Sequence, residues 1–186
     1  MQSLRAHFRE HFEDPRRSNR SYPASSLLVF IAMALFAGRT NLASIQRYGW
    51  LLTGQQRAWL DFPLKKGTNT RKAPSPRALH NFLTQIKPDE FAKCLNAWLG
   101  THSGTLPRAL AVDGKWIRDR ALSLCLSEHE TGAPVAVGFA AEGSKTDENK
   151  REGEQTVAPG LYARTNLDGA TVTGDALNCN KPQAHA

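Results

Sequence analysis

At 186 residues, with 40% hydrophobic and 22% charged side chains, the chain has material for one large domain or two small ones and enough apolar content for a globular core. Three widely spaced cysteines (Cys94, Cys125, Cys179) exclude a disulfide framework, and the polar, charged stretch from Met1 to Arg20 excludes a signal peptide. The longest apolar run, Leu27 to Ala37, is 11 residues, too short to cross a bilayer, so a cytoplasmic chain with reduced thiols and no membrane partner is expected. The formal charge of +7 is unevenly spread: residues 1–100 carry 15 Lys+Arg against 6 Asp+Glu, and residues 101–186 carry 9 against 11. A basic front and a slightly acidic rear suit a polyanion at the front and cations at the rear, although a merely basic domain has the same balance.

The first hundred residues read as short helices. After Pro23, residues Leu27, Leu28, Ile31, Leu35 and Phe36 fall on one face, and Gly38 stops the helix. Asn41 offers an N-cap for a helix with Leu42 and Ile45 inward and Gly49 at its end. Thr53 and Gln56 have capping-box spacing ahead of Trp59 and Leu60. Residues 65–72, KKGTNTRK, read as a flexible basic loop. Ser75-Pro76 opens a helix with Leu79, Phe82, Leu83 and Ile86 inward, and Pro88 opens another with Phe91, Leu95, Trp98 and Leu99 inward. Closely spaced short helices predict a compact bundle.

From Ala109 the pattern changes. Ala109–Ile117, Ala121–Ser127 and Pro134–Ala140 read as strands, the last two joined by a hairpin turn at 128–133. Residues 143–160 read as a polar loop leading into a weak helix, and 161–168 as a bridge to a strand ending at Asp175. The boundary between the two parts is expected near 102–105. The fold class is therefore α+β, with a helical bundle over 1–104 followed by a mixed α/β sheet over 105–186.

Two apolar runs lead to an aspartate: Leu110-Ala111-Val112-Asp113 and Ala170-Thr171-Val172-Thr173-Gly174-Asp175. If the strands are neighbours, two carboxylates come close together, which is unfavourable unless a cation lies between them, and a hard ion such as Mg²⁺ prefers oxygen ligands. The bland alternative is an Asp-Gly turn at Asp113 and a helix cap at Asp175. Around Asp113, Lys115 and Arg118 add the cations that a phosphate site needs. Lys65, Lys66, Arg71 and Lys72, with Arg77 at a helix start, are candidate phosphate contacts, as is Lys145; each is equally consistent with a solvated surface. Cys179 with His185 lacks the second ligand pair that zinc requires.

These blocks together resemble the H-repeat-associated family of bacterial insertion-sequence transposases, in the DDE superfamily. Asp14-Pro15-Arg16-Arg17 with the apolar helix after it, and Ala73-Pro74-Ser75-Pro76 with the following helices, are similar to that family's N-terminal associated domain. Asp113-Gly114-Lys115-Trp116-Ile117-Arg118 resembles its first-aspartate block and Val172-Thr173-Gly174-Asp175-Ala176 its second. Lys145-Thr146-Asp147-Glu148 is similar to a third segment, with Asp147 where Asn is usual.

The resemblance implies an RNase H-like catalytic domain behind a DNA-binding helical region, with the first and fourth strands adjacent. Asp113 and Asp175 become the first two acids of a DDE triad that binds Mg²⁺ or Mn²⁺. The third acid, a glutamate on a later helix, and the last strand find no counterpart, so a C-terminally truncated catalytic domain is expected. The implied activity is metal-dependent cleavage and strand transfer at the element's terminal repeats and target DNA. Homo-oligomerisation of the intact enzyme is left open. A non-catalytic DNA-binding protein that occupies element ends and represses transposition is the alternative. A small nuclease drawing a further acid from Glu142, Asp147, Glu148, Glu152 or Glu154 is a third.

Overall fold

The computed structural model describes residues 2–17, 20–102, 109–117, 121–140, 154–165 and 167–175. The chain divides into two compact units, Met1–Lys87 and Pro88–Ala186. No helix among the described residues is long and apolar enough to cross a membrane.

The first unit is helical: α1 (Leu4–His11), α2 (Ala24–Phe36), α3 (Leu42–Leu51), α4 (Gly54–Trp59) and α5 (Pro76–Leu83). Its helices start where polar caps satisfy the free N–H groups of the first turn. Asn41 with Ser44 and Thr53 with Gln56 form reciprocal capping boxes, and the Ser75 hydroxyl accepts from the Ala78 amide with Pro76 in the first turn. The core is aromatic. Phe62 meets Phe30 and Tyr22 edge-on with centroids 5.3 and 5.5 Å apart, and Leu27, Leu60, Leu79 and Phe82 are fully buried around them.

Several sequence expectations change here. The helix α1 was not anticipated; charged residues surround its apolar pair, Phe8 and Phe12, which are nonetheless buried and in edge-on contact. The helix α3 does not end at Gly49. It runs on to Leu51, because a hydrogen in place of a side chain lets the helix approach closely: a Cβ on Gly49 would lie 2.8 Å from the Ala73 Cβ and 3.0 Å from Phe30 Cζ. At the end of α2, Leu35 and Phe36 were expected inward, yet they are 53% and 94% exposed. The buried stripe of α2 instead includes Ser25 and Ser26. Residues 65–72 form an ordered hairpin, with Leu64 bridged to Arg71, the Lys65 amide on the Thr70 carbonyl (2.8 Å), and Gly67 at φ 76° in the turn.

The second unit comprises α6 (Pro88–His102), β1 (Ala109–Ile117), β2 (Ala121–Glu128), β3 (Pro134–Phe139), α7 (Glu154–Arg164) and β4 (Thr171–Thr173). The four strands form a mixed sheet in the order β3-β2-β1-β4, with β1 antiparallel to β2 and parallel to β4. The architecture is α+β. One face of the sheet carries Leu110, Val112, Leu122, Leu124, Leu126 and Ala136, which pack with Val157, Ala158, Leu161 and Tyr162 of α7 into one core. The weak helix thus runs through Leu161 rather than ending at 160, because its apolar residues complete this core. The helix α6, grouped with the bundle on sequence, packs along β3 in the second unit; the Asn96 amide there bonds the main chain of Val137.

Candidate functional site

Asp113 and Asp175 are set by the parallel pair β1–β4. Its register matches Ala109 with Thr171, Leu110 with Val172, and Ala111 with Thr173. Each aspartate lies two positions past the last matched residue, Asp113 still within β1 and Asp175 beyond the end of β4 at Thr173. Neighbouring strands lie roughly 4.8 Å apart, and residues two apart on a strand share a face. Leu110 and Val112 face the buried core, so Ala111 and Asp113 face the other way, and Asp113 is exposed. Asp175, just past the short β4, is exposed as well. The Thr173 hydroxyl donates to the Leu110 carbonyl (3.1 Å), tying β4 to β1 at this end.

On the other side of β1, Asp113 is paired in register with Cys125. Burial, and after it the nearby charge of Asp113, push the Cys125 thiol above its ordinary pKa. The thiol therefore stays protonated near neutral pH. Lys115, two residues beyond Asp113 on the same face, is exposed. The donors at this end of the sheet are thus two carboxylates, which fit a hard divalent ion that keeps several waters. Among the described residues no group of three His, Cys, Asp or Glu side chains is arranged to hold a metal. Arg118, Lys145, Cys179 and His185 lie outside the described residues.

The basic candidates of the first unit gather on adjoining segments. Lys65, Lys66 and Lys72 are exposed on the hairpin, and Arg77 is exposed in the first turn of α5. Arg71 is different: half-buried, it donates to the Phe62 carbonyl (2.5 Å), while its own carbonyl accepts from Arg57 (3.1 Å). Arg71 thereby holds the hairpin in place. From Phe62 to Pro88 the chain has six Lys or Arg and no acid.

A further cluster escaped the sequence reading. Asp14, its side chain only 10% exposed, forms a two-bonded pair with Arg16 (2.9 and 2.7 Å) and lies 3.3 Å from Arg20. Burial alone would raise the Asp14 pKa. Hydrogen bonds from the Arg16 side chain and amide, with the charges of Arg16 and Arg20, outweigh it and hold the carboxyl below its ordinary value. Arg16 also donates to the Tyr22 carbonyl (2.6 Å) and lies 4.8 Å over the Phe82 ring of α5. The only sequence signal was Asp14-Pro15-Arg16-Arg17 as part of a family likeness; the long-range partner, Phe82, is invisible to local spacing.

An α+β protein, with a basic helical unit followed by a unit built on a four-stranded mixed sheet, is the class the structure defines. Comparison with known proteins gives the family. The DDE_Tnp_1-associated family profile matches residues 6–99, and the chain belongs to that family. It is 25% identical over 165 residues to the "H repeat-associated putative transposase YhhI" of Escherichia coli (strain K12), covering 84% of this chain and 40% of that protein. YbfL of the same strain matches at the same identity and coverage. An uncharacterized protein in the dhlA 3′ region of Xanthobacter autotrophicus is 27% identical over 189 residues, 95% of this chain and 59% of that protein. The chain thus spans between two fifths and three fifths of the length of these relatives. No solved structure matches.

Proposed function

We propose that this chain is the N-terminal portion of a DDE transposase, with a DNA-binding helical unit followed by the first part of an RNase H-like catalytic domain. The observation that supports this reading is the parallel pairing of β1 with β4, the two strands that lead to Asp113 and Asp175, both of them exposed. Adjacency of the first and fourth strands is what an RNase H-like sheet requires, and membership of a transposase-associated family points the same way. Asp113 and Asp175 hold Mg²⁺ or Mn²⁺. The bound ion supplies Lewis-acid activation for phosphodiester cleavage and strand transfer. Lys115, on the same face, positions a DNA phosphate beside the carboxylates. The basic unit holds the terminal repeats of the element.

Mn²⁺ titration of the purified chain tests the site. Asp113→Asn or Asp175→Asn is expected to weaken binding on the order of tenfold or more, since each removes a charged ligand. Unchanged Mn²⁺ affinity in both variants would overturn the pairing. With only two carboxylates assigned, residues 1–186 alone are expected to give strand transfer at background. A Mg²⁺-dependent product that disappears in Asp113→Ala would refute that incompleteness.

A second reading rests on the acid-free basic stretch 62–88: a non-catalytic DNA-binding protein that occupies element ends and represses transposition. It is separated from the first by whether Asp113→Asn changes anything beyond DNA affinity. Absence of a gel shift on any duplex at low salt ends it.

A further inference from the structure

In the first unit, a cleft of about 480 Å³ opens between residues 15–17 and 20–22 on one side and α5 on the other. Its walls include Arg17, Arg20 and Ser21 on one side and Ala78, Asn81 and Gln85 on the other. The segment is held against α5 by Arg16, whose guanidinium pairs with the buried Asp14 and lies over Phe82 on the inward side of the helix. That anchoring fixes where Arg17 and Arg20 sit relative to the outer face of α5. On that face Arg77 and Asn81, four residues apart, align along one stripe and Gln85 follows in the turn after the helix, while Leu79 and Phe82 are buried on the opposite side. No acid occurs in the helix, and none between Asp61 and Asp89. Asp14, the acid beside the cleft, is occupied by Arg16 and Arg20. The side chains of Arg17, Arg77 and Asn81 are exposed and make no hydrogen bond or ion pair among the described residues, while the Asn81 carbonyl accepts from the Gln85 amide (2.7 Å) and the Arg17 carbonyl from Arg20 (3.0 Å).

We infer that this cleft is a duplex-DNA contact in which α5 reads a base edge through Asn81, with Gln85 of the following turn beside it, while Arg17 and Arg77 grip the flanking phosphates. The inference rests on the DNA-binding reading above and adds the reading element. Amide side chains pair in two-bonded fashion with the adenine edge in the major groove, whose width admits a helix. Arginines on either side of such a helix neutralise the backbone and set the register without carrying sequence information.

The test uses the full chain and a pool of random 20-bp duplexes, from which bound sequences are recovered; the recovered duplex and an unselected one are then titrated by fluorescence anisotropy at several salt concentrations. Arg17→Ala and Arg77→Ala are expected to weaken both duplexes equally and to lower the salt slope by about 1 each. Asn81→Ala is expected to weaken the recovered duplex by roughly 5- to 100-fold and leave the unselected one unchanged. Asn81→Glu, which sets a charge against the DNA, is expected to abolish binding to both. A pool that returns no preferred sequence, or Asn81 and Gln85 variants that keep wild-type discrimination, overturns base reading by α5. Wild-type affinity in all the arginine and Asn81 variants, with loss on Lys65→Ala and Lys66→Ala, moves the DNA to the hairpin and leaves DNA binding itself intact. Failure of the wild-type chain to bind any duplex overturns both.

Discussion

Single residues in the first unit carry constraints that their types alone do not announce. Gly49 lies mid-helix, where glycine costs about 1 kcal/mol relative to alanine, yet the site has no room for a methyl group beside Ala73 and Phe30. Gly49→Ala is therefore predicted to destabilise by about 1–3 kcal/mol through overpacking, despite its better helix propensity. Adding Ala73→Gly, which removes the nearest carbon, should recover part of that loss; denaturant midpoints of the single and double variants check it. Ser26 offers the reverse case. Its hydroxyl is buried without a hydrogen-bond partner, and the carbonyl four residues before it, that of Tyr22, already accepts from Arg16. Ser26→Ala removes an unsatisfied group and improves helix propensity, so a gain of roughly 1 kcal/mol is predicted, visible as a raised Tm. At Asp14 the effect depends on pH. Its folded pKa is depressed, so the stabilisation is complete above the unfolded value of about 3.9 and is lost as pH falls through the folded value. Asp14→Asn is predicted to lower the Tm near pH 7 and to match the wild type at the acid end, where both side chains are uncharged. A Tm difference that stays constant from pH 7 down to the acid end would contradict this.

At the scale of elements, what was legible in the sequence was what local rules govern. The Thr53–Gln56 spacing, the Asn41 cap and Ser75-Pro76 each open a helix where expected, because capping is decided within three residues. Strand β1 has its expected bounds and β2 and β3 differ by one residue at an end, since short continuous or alternating apolar runs bounded by turn residues mark them clearly. The candidate Asp113 was legible for the same reason. The pairing of β1 with β4 was not legible in local spacing, because strand order is a long-range property, and only the family resemblance implied it. Ends set by tertiary contact were misplaced: α3 past Gly49, α7 through Leu161, and α6 in its partner. For α6 the decisive residue is Asn96, whose amide accepts from the Val137 N–H (2.8 Å) and donates to its carbonyl (2.9 Å). The strand β3 lies at one edge of the sheet, and the outward N–H and C=O of Val137 are thereby paired instead of left to recruit another strand. Asn96→Ala is predicted to cost about 1–3 kcal/mol and to increase self-association. Asn96→Asp keeps the acceptor and loses the donor, so an intermediate loss is expected by thermal unfolding with light scattering.

Across the whole molecule, charge divides with the compact units more sharply than with the halves of the sequence. Residues 1–87 hold 14 Lys+Arg against 4 Asp+Glu, while residues 88–186 hold 10 against 13. Of the four acids in the first unit, Asp14 is paired with Arg16 and Arg20, and Asp61 with Arg5 and Arg9. The remaining positive excess has little internal compensation and must be met by solvent ions or by a polyanion. Asp113 and Asp175 lie in the net acidic unit. Two opposite ionic dependences follow from this division. Duplex affinity of the chain is predicted to fall steeply with monovalent salt, the log–log slope reporting about 0.9 per phosphate neutralised. Millimolar Mg²⁺ should weaken DNA held only by the basic unit, because it competes for phosphate, but should restore part of that affinity if Asp113 and Asp175 hold an ion that bridges to the DNA. Measuring the slope with and without Mg²⁺, in wild type and Asp113→Asn, separates the two contributions. The expected result is equal affinity of both proteins without Mg²⁺ and weaker binding by Asp113→Asn with it; identical curves under both conditions would mean that the carboxylates of the second unit take no part in holding DNA.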